Sequence, residues 1–91
     1  GGEEFAIILI NTTANMSNIV AQRIVDNIAD YEFNLDGVET RMTISGGMSE
    51  YPSHSEEMKQ LIEIADQEMY ATKQRGGNGI TIHKNKIKND D

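Results

Sequence analysis

The chain has 91 residues, enough for one small domain in which a single hydrophobic core is only just sufficient. It carries 15 acidic and 8 basic residues, and its formal net charge of −7 argues against broad contact with a nucleic-acid duplex or an anionic membrane surface. The sequence contains no cysteine, which excludes a disulfide framework, a thiolate nucleophile and a zinc knuckle. No apolar run approaches the roughly 18 residues of a membrane span, and we expect a soluble, cytoplasmic domain.

The first half of the chain is predicted to contain a strand and a helix. A strand is predicted over residues 4–10, because residues 5–10 are apolar at both alternating sets of positions, which is typical of an interior strand. Residues 11–15 carry turn and capping side chains, and a helix is predicted over residues 15–30. Its apolar positions recur every four residues: Met16, Val20, Ile24 and Ile28.

The middle of the chain is predicted to contain a loop and a longer strand. Residues 31–37 form the loop, which ends in a turn at Asp36 and Gly37. The strand spans about residues 38–50, and the two glycines Gly46 and Gly47 within it indicate a bulge or a close backbone approach.

A second helix and a short strand complete the prediction. Ser53 and Glu56 have the spacing of a capping box, so the helix is predicted from there to about Arg75. Gly76 and Gly77 provide the expected stop, residues 80–82 form a closing strand, and residues 84–91 are a polar tail. The predicted order is β-α-β-α-β, which implies a sheet with helices packed on it. Crossovers through helices normally join parallel neighbours, but the loop before Val38 is long enough for that strand to run antiparallel to the first.

Two clusters of residues could carry chemistry. Gly1, Gly2, Glu3 and Glu4 place two carboxylates beside flexible backbone, a suitable arrangement for Mg²⁺ and for phosphate oxygens. The alternative is a solvated turn with two surface acids.

The second cluster is the end of the second predicted helix, where positive charges complement the helix dipole. This structural role is sufficient to explain Lys73 and Arg75. His54 and His83 have no ligand partner at suitable sequence spacing and are predicted to be surface residues.

Three blocks of sequence together resemble the GGDEF family of diguanylate cyclases. Residues 1–5, GGEEF, match the family's signature in its Glu variant; residues 42–49, MTISGGMS, are similar to its TxSIGVA strand. Residues 65–78, ADQEMYATKQRGGN, are similar to its ADxALYxAKxxGRN segment. The resemblance covers residues 1–83 and implies an α+β fold: a palm-like, nucleotidyl cyclase-like domain with helices on a mainly antiparallel sheet.

The resemblance also implies a reaction and roles for particular residues. It implies that a dimer condenses two GTP molecules into cyclic di-GMP and two pyrophosphates with Mg²⁺ or Mn²⁺. The family resemblance also allows the domain to be the cytoplasmic part of a membrane-anchored sensor. Glu3 would be catalytic and would bind metal with Glu4, whereas Gly1, Gly2 and Lys73 would contact the nucleotide.

The chain departs from the family pattern at two positions, of which the first favours a second hypothesis. Gly77 stands where the family usually has an arginine that reaches a phosphate, and Gly46 replaces the usual isoleucine of the strand. The alternative function is therefore a non-catalytic GGDEF module that binds GTP or cyclic di-GMP or provides a dimerisation platform.

The family's motif lies about halfway along its domain, so we expect this sequence to be the C-terminal half of one. A third possibility then describes the isolated chain, whose unpaired first strand would associate with another copy. We expect the isolated chain to dimerise, by strand exchange or otherwise, and to lack turnover.

Overall fold

The computed structural model describes residues 6–84, which form two α-helices and four short strands. In chain order these are α1 (Ala14–Asp30), β1 (Phe33–Leu35), β2 (Val38–Thr40), β3 (Ser45–Met48), α2 (Met58–Gln74) and β4 (Gly79–Ile82). The expected α+β class is confirmed. The strands pair as one antiparallel hairpin, β1 with β2, and one parallel pair, β3 with β4.

The strand predicted over residues 4–10 is wrong where it can be compared. Residues 6–9 have no regular structure, and a turn follows at Ile10 and Asn11. Ile7, Ile8 and Ile10 are 67%, 70% and 78% exposed. An apolar run becomes a strand only when a neighbouring strand accepts its backbone hydrogen bonds, and no described strand lies beside this segment.

The helix α1 matches its prediction to within one residue. It begins after the N-cap Thr13, whose hydroxyl accepts from the Met16 amide at 3.2 Å. At its other end the Arg41 guanidinium donates to the Asp30 carbonyl oxygen at 3.0 Å, one of the carbonyls that a helix end leaves unpaired. Val25 is fully buried, so the packed face of α1 is centred on that side chain.

Only part of the apolar stripe of α1 is covered by the described residues. Ile24 and Ile28 are half-buried, whereas Met16 and Val20 are 62% and 44% exposed. The helical period was therefore predicted correctly, but the apolar surface is wider than the face that packs.

The loop predicted over residues 31–37 instead contains the first strand of a hairpin. Leu35 pairs with Val38, and the two residues between them, Asp36 and Gly37, have φ of +54° and +84°. Two left-handed residues in a two-residue loop are the geometry that Asp-Gly favours. The Asn34 side chain stabilises the turn by accepting from the Gly37 amide at 2.9 Å.

The strand predicted over residues 38–50 is two strands rather than one. β2 ends at Thr40, residues 41–44 have no regular structure, and β3 begins at Ser45. The break separates the residues that pair within the hairpin from those that pair with β4.

The parallel pair β3–β4 is the platform on which α2 packs. Gly46 lies opposite Ile80, and Gly47 lies opposite Thr81. A Cβ atom on Gly47 would overlap the Ala65 carbonyl oxygen and the Met69 amide nitrogen of α2. The close backbone approach predicted for this glycine pair is therefore present, and it brings α2 onto the strand.

The predicted start of α2 is wrong by about one helical turn. The helix begins at Met58 after an N-cap at Glu57, so the Ser53–Glu56 spacing does not form a capping box. Ser55 serves this end instead, accepting from the Glu57 amide at 3.0 Å and donating to Gln60 at 2.9 Å. No helix among residues 6–84 is both long enough and apolar enough to cross a bilayer.

Candidate functional site

The structure places one of the five predicted site residues. Lys73 lies in the last turn of α2 with an exposed side chain. The other four, Gly1, Gly2, Glu3 and Glu4, lie outside the described residues. The described part of the candidate site is therefore the C-terminal end of α2, where Lys73 lies.

The end of α2 is closed by a Schellman motif. The Gly77 amide donates to the Thr72 carbonyl oxygen at 2.9 Å, and the Gly76 amide donates to the Lys73 carbonyl oxygen at 3.1 Å. Gly76 has φ of +111°, the left-handed conformation that this motif requires and that glycine adopts without steric cost. The predicted glycine stop is confirmed, and it fixes the backbone on the C-terminal side of Lys73.

A buried hydroxyl next to Lys73 connects this helix end to both strands of the parallel pair. Thr72 is 2% exposed, and its Oγ1 lies 2.8 Å from the Gly46 carbonyl oxygen of β3. The same atom lies 2.7 Å from Thr81 Oγ1 of β4 and 3.1 Å from the Glu68 carbonyl oxygen one turn earlier in α2. We call the connection through Thr72, Thr81 and Arg75 the Thr72–Thr81 network.

Arg75 forms the outer end of this network. Its Nη2 donates to Thr81 Oγ1 at 2.5 Å, so the guanidinium is held against β4. On a helix, positions two apart point in widely different directions, which separates Arg75 from the side of Lys73. Arg75 is thus engaged in fixing the helix to the sheet.

The backbone conformation at position 77 is one that favours glycine. Its φ is +75°, and a Cβ atom there would lie 3.0 Å from Ser45 Oγ. Ser45 Oγ in turn accepts from the Asn78 amide at 3.2 Å. The conformation and the nearby hydroxyl both favour glycine over the arginine of the family pattern.

Gly46 is the second position that differs from the family pattern, and the Ile80 side chain of β4 fills the space beside it. A Cβ atom on Gly46 would come within 2.6 Å of Ile80 Cδ1. The isoleucine side chain therefore occupies the volume that a side chain at position 46 would otherwise take.

His54 and His83 lie together near the start of α1, at the end of the sheet to which β3 and β4 run. Their rings are in edge-to-face contact, with centroids 4.9 Å apart. His54 Nδ1 accepts from the Glu50 amide at 2.8 Å, and His83 Nδ1 lies 2.7 Å from Glu68 Oε2. Both histidines are half-buried, so the prediction that they are surface residues holds only in part: His54 is bonded to its sequence neighbour Glu50, whereas the contacts of His83 come from distant parts of the chain.

An open pocket of about 480 Å³ lies beside these histidines. The Glu50 carboxylate at its edge accepts from the Ala14 amide at 2.9 Å and so satisfies a free donor at the start of α1. Among residues 6–84, no group of three or more histidine and carboxylate side chains is arranged to hold a metal ion. The carboxylates predicted to bind metal, Glu3 and Glu4, precede this part of the chain.

Comparison with known families identifies the chain. Residues 1–79 match the model of the family described as "Diguanylate cyclase, GGDEF domain". The chain belongs to the GGDEF family. The match includes the GGEEF motif and the whole of α2, and it confirms the resemblance that the three sequence blocks indicated.

Several relatives of the GGDEF chain carry cyclase names. Diguanylate cyclase A of Treponema denticola is 39% identical over 87 residues, which are 96% of this chain and 24% of that protein. Diguanylate cyclase DosC of Escherichia coli is 29% identical over 85 residues, 92% of this chain and 18% of that protein. The uncharacterized protein YhcK of Bacillus subtilis is 36% identical over 87 residues, 94% of this chain and 24% of that protein. The chain thus spans a quarter or less of the length of these relatives.

The contacts of Thr72 and Thr81 beside Lys73 were not predicted from the sequence. The signal available was a threonine directly before the lysine in a helix whose neighbouring positions are apolar or charged. Its partners are 26 and 9 residues away in sequence, so the hydrogen bonds become apparent only once α2 is placed on the sheet.

Proposed function

We propose that the full-length protein containing this GGDEF chain is a diguanylate cyclase that converts two GTP molecules into cyclic di-GMP and two pyrophosphates. The observation that carries the proposal is the family match over residues 1–79, a range that includes the GGEEF motif and Lys73. An exposed Lys73 side chain, on a helix end whose carbonyl oxygens are paired by the Schellman motif, supports the proposal.

In the proposed reaction each of two domains binds one GTP. The 3′-hydroxyl of each GTP attacks the α-phosphorus of the other, the new phosphodiester bond forms, and pyrophosphate leaves. Glu3 accepts the proton of the attacking hydroxyl. Lys73 offsets negative charge on the triphosphate as a point charge.

The first four residues would surround the phosphates and a cation. Gly1 and Gly2 lack a Cβ atom, so phosphate oxygens can approach the backbone closely. The adjacent carboxylates of Glu3 and Glu4 are the hard oxygen donors that suit Mg²⁺ or Mn²⁺. When bound, such an ion neutralises charge on the phosphates.

The proposed reaction requires a homodimer, because each GTP is attacked by the nucleotide held on the other domain. GTP and cyclic di-GMP are therefore the proposed partners besides a second copy, and the proposed location is the cytoplasm. Residues 1–91 alone are proposed to be inactive, since one carboxylate pair is insufficient to fix the nucleotide and its metal ions.

A second candidate function is a non-catalytic GGDEF module that binds GTP or cyclic di-GMP or mediates dimerisation. Two observations favour it. Gly77 occupies the position of a phosphate-binding arginine, with a backbone suited to glycine. The neighbouring cation, Arg75, is bonded to Thr81. Both reduce the positive charge available to a triphosphate.

The test compares GTP turnover by the full-length protein with turnover by its Glu3→Ala variant. For a cyclase we expect cyclic di-GMP production to fall by at least about 100-fold in the variant, because general-base catalysis typically contributes that factor. Glu63→Ala is the matched control, since it removes an exposed acid from α2 and should leave turnover unchanged.

The two functions predict different results in this experiment. Wild-type protein that binds GTP but yields no cyclic di-GMP would support the non-catalytic module. Equal production by the wild type and Glu3→Ala would contradict the assigned role of Glu3.

A further inference from the structure

Lys73 is the cation of the candidate site, yet its long side chain is exposed and flexible. The fold can fix the position of the backbone at Lys73. On the C-terminal side the Schellman bonds to the carbonyl oxygens of Thr72 and Lys73 do this. On the N-terminal side the Thr72 side chain does it, through the 2.8 Å contact with the Gly46 carbonyl oxygen and the 2.7 Å contact with Thr81.

We propose that Thr72 and Thr81 are positioning residues for Lys73, which they serve by fixing the last turn of α2 to β3 and β4 before the triphosphate binds. The inference rests on the proposed function, because it assumes that Lys73 contacts the triphosphate. Thr72 and Thr81 do not touch the nucleotide in this proposal. They fix the position of the backbone that carries the Lys73 side chain.

The physical reason is preorganisation. Helix ends fray and open locally at low free-energy cost. A lysine on a frayed turn must be ordered when its ligand binds, and that ordering reduces affinity. The Thr72–Thr81 network orders the turn in the free protein, so the loss of conformational entropy no longer opposes nucleotide binding.

The network requires a hydroxyl at both positions. Arg75 can only donate, so Thr81 Oγ1 accepts from it at 2.5 Å and is left to donate its own hydrogen to Thr72. Thr72 accepts that hydrogen and donates to a backbone carbonyl oxygen, of which the Gly46 oxygen is the nearer. Valine has the shape of threonine but can neither accept nor donate, whereas serine keeps both capacities.

The experiment measures nucleotide affinity in the full-length protein with Thr72→Val and with Thr72→Ser. The probe is a GTP analogue with a methylene between the α- and β-phosphorus, which cannot release pyrophosphate, and binding is followed by calorimetry. We expect Thr72→Val to weaken binding about 3- to 10-fold, the range that corresponds to losing one buried hydrogen bond. Thr72→Ser should stay within about twofold of the wild type.

A double-mutant cycle with Lys73→Ala separates a positioning role from a purely structural one. If Thr72 acts through Lys73, then Thr72→Val should have no further effect on affinity once the lysine is absent. An equal loss of affinity in both backgrounds would overturn the inference, and so would a lower melting temperature with unchanged affinity.

The same cycle distinguishes failure of this inference from failure of the triphosphate-binding role that the proposed function assigns to Lys73. If Lys73→Ala leaves affinity unchanged, the lysine does not contact the triphosphate, and both the assigned role and the inference are wrong. If Lys73→Ala weakens binding but Thr72→Val does not, the inference alone is wrong.

Thr81→Val tests the inference from β4 in case Thr72→Val does not fold. Thr81 is only half-buried, and its substitution removes the partner of Thr72 while leaving the Thr72 contacts with backbone oxygens. We expect Thr81→Val also to weaken nucleotide binding about 3- to 10-fold. In the Lys73→Ala background it should have no further effect on affinity. Unchanged affinity in Thr81→Val would overturn the role assigned to Thr81.

Discussion

Adjacent glycines in β3 meet very different surroundings. A Cβ atom on Gly47 would overlap backbone atoms of α2 at Ala65 and Met69, which cannot move without displacing the helix. A Cβ atom on Gly46 would meet only side-chain atoms of Ile80, chiefly Cδ1, and that side chain can change rotamer. The same chemical change at neighbouring positions should therefore have unequal effects.

We expect Gly47→Ala to lower the free energy of unfolding by about 3 kcal/mol or more, because the substitution overpacks a contact between backbone and backbone. Gly46→Ala is the matched control and should cost about 1 kcal/mol. Urea unfolding followed by circular dichroism measures both. Similar midpoints for the two variants would show that α2 does not approach β3 as closely as described.

Individual residues of the site were predictable to different degrees. Lys73 followed from the similarity of residues 65–78 to the family segment, because that similarity fixes a register along one helix. The Thr72–Thr81 network did not follow, because its members are on different elements and no local pattern indicates their contact. The contact between His83 and Glu68 was not predicted, for the same reason.

At the scale of elements, the two helices were the most predictable parts of the chain. Each has an apolar period over many residues and, at one end, a chemical signal: Thr13 before α1 and Gly76 after α2. The hairpin was missed because its strands have only three residues each, too few to show alternation. The strand predicted over residues 4–10 was wrong in its described part because apolar character cannot indicate whether a partner strand is adjacent.

The loop from α2 to β4 is built for glycine at position 77. Replacing it with the arginine of the family pattern puts a Cβ atom into the left-handed region, where φ is +75°, and within 3.0 Å of Ser45 Oγ. We expect Gly77→Arg to destabilise the domain by about 1–2 kcal/mol, the usual cost of this conformation for a residue with a side chain. Thermal unfolding measures the change as a lower melting temperature.

Gly77→Asn is the control for this substitution, because asparagine tolerates the left-handed conformation better than other residues with a Cβ atom. It should lose less stability than Gly77→Arg. If Gly77→Arg is as stable as the wild type, the loop can adopt another conformation and position 77 does not require glycine.

At the scale of the whole molecule, the described residues bury little apolar surface. Their fully packed apolar side chains are Ala14 and Val25, the second of which has no exposed surface. Several large apolar side chains are more than half exposed: Ile7, Ile8, Ile10, Met16, Ile19 and Ile62. Since the hydrophobic effect is proportional to the apolar area removed from water, a chain with this distribution gains by covering such surface with another copy.

We therefore expect the isolated 91-residue chain to self-associate at tens of micromolar, with the segment 7–10 as part of the contact. Ile8 is 70% exposed, and burying an isoleucine side chain contributes about 1.5–3 kcal/mol. Ile8→Lys replaces that contribution with a charge that opposes pairing between exposed segments. It should weaken association by at least about tenfold, measured by sedimentation equilibrium.

Asn27→Lys is the matched control, because it adds the same charge at an exposed polar position of α1. It should leave the association constant nearly unchanged, since no apolar area is lost. Equal weakening by Asn27→Lys and Ile8→Lys would show that net charge, and not the apolar segment, governs association. A monomer for the unmodified chain under these conditions would contradict the prediction directly, because the exposed apolar surface would then be too dispersed to form one contact.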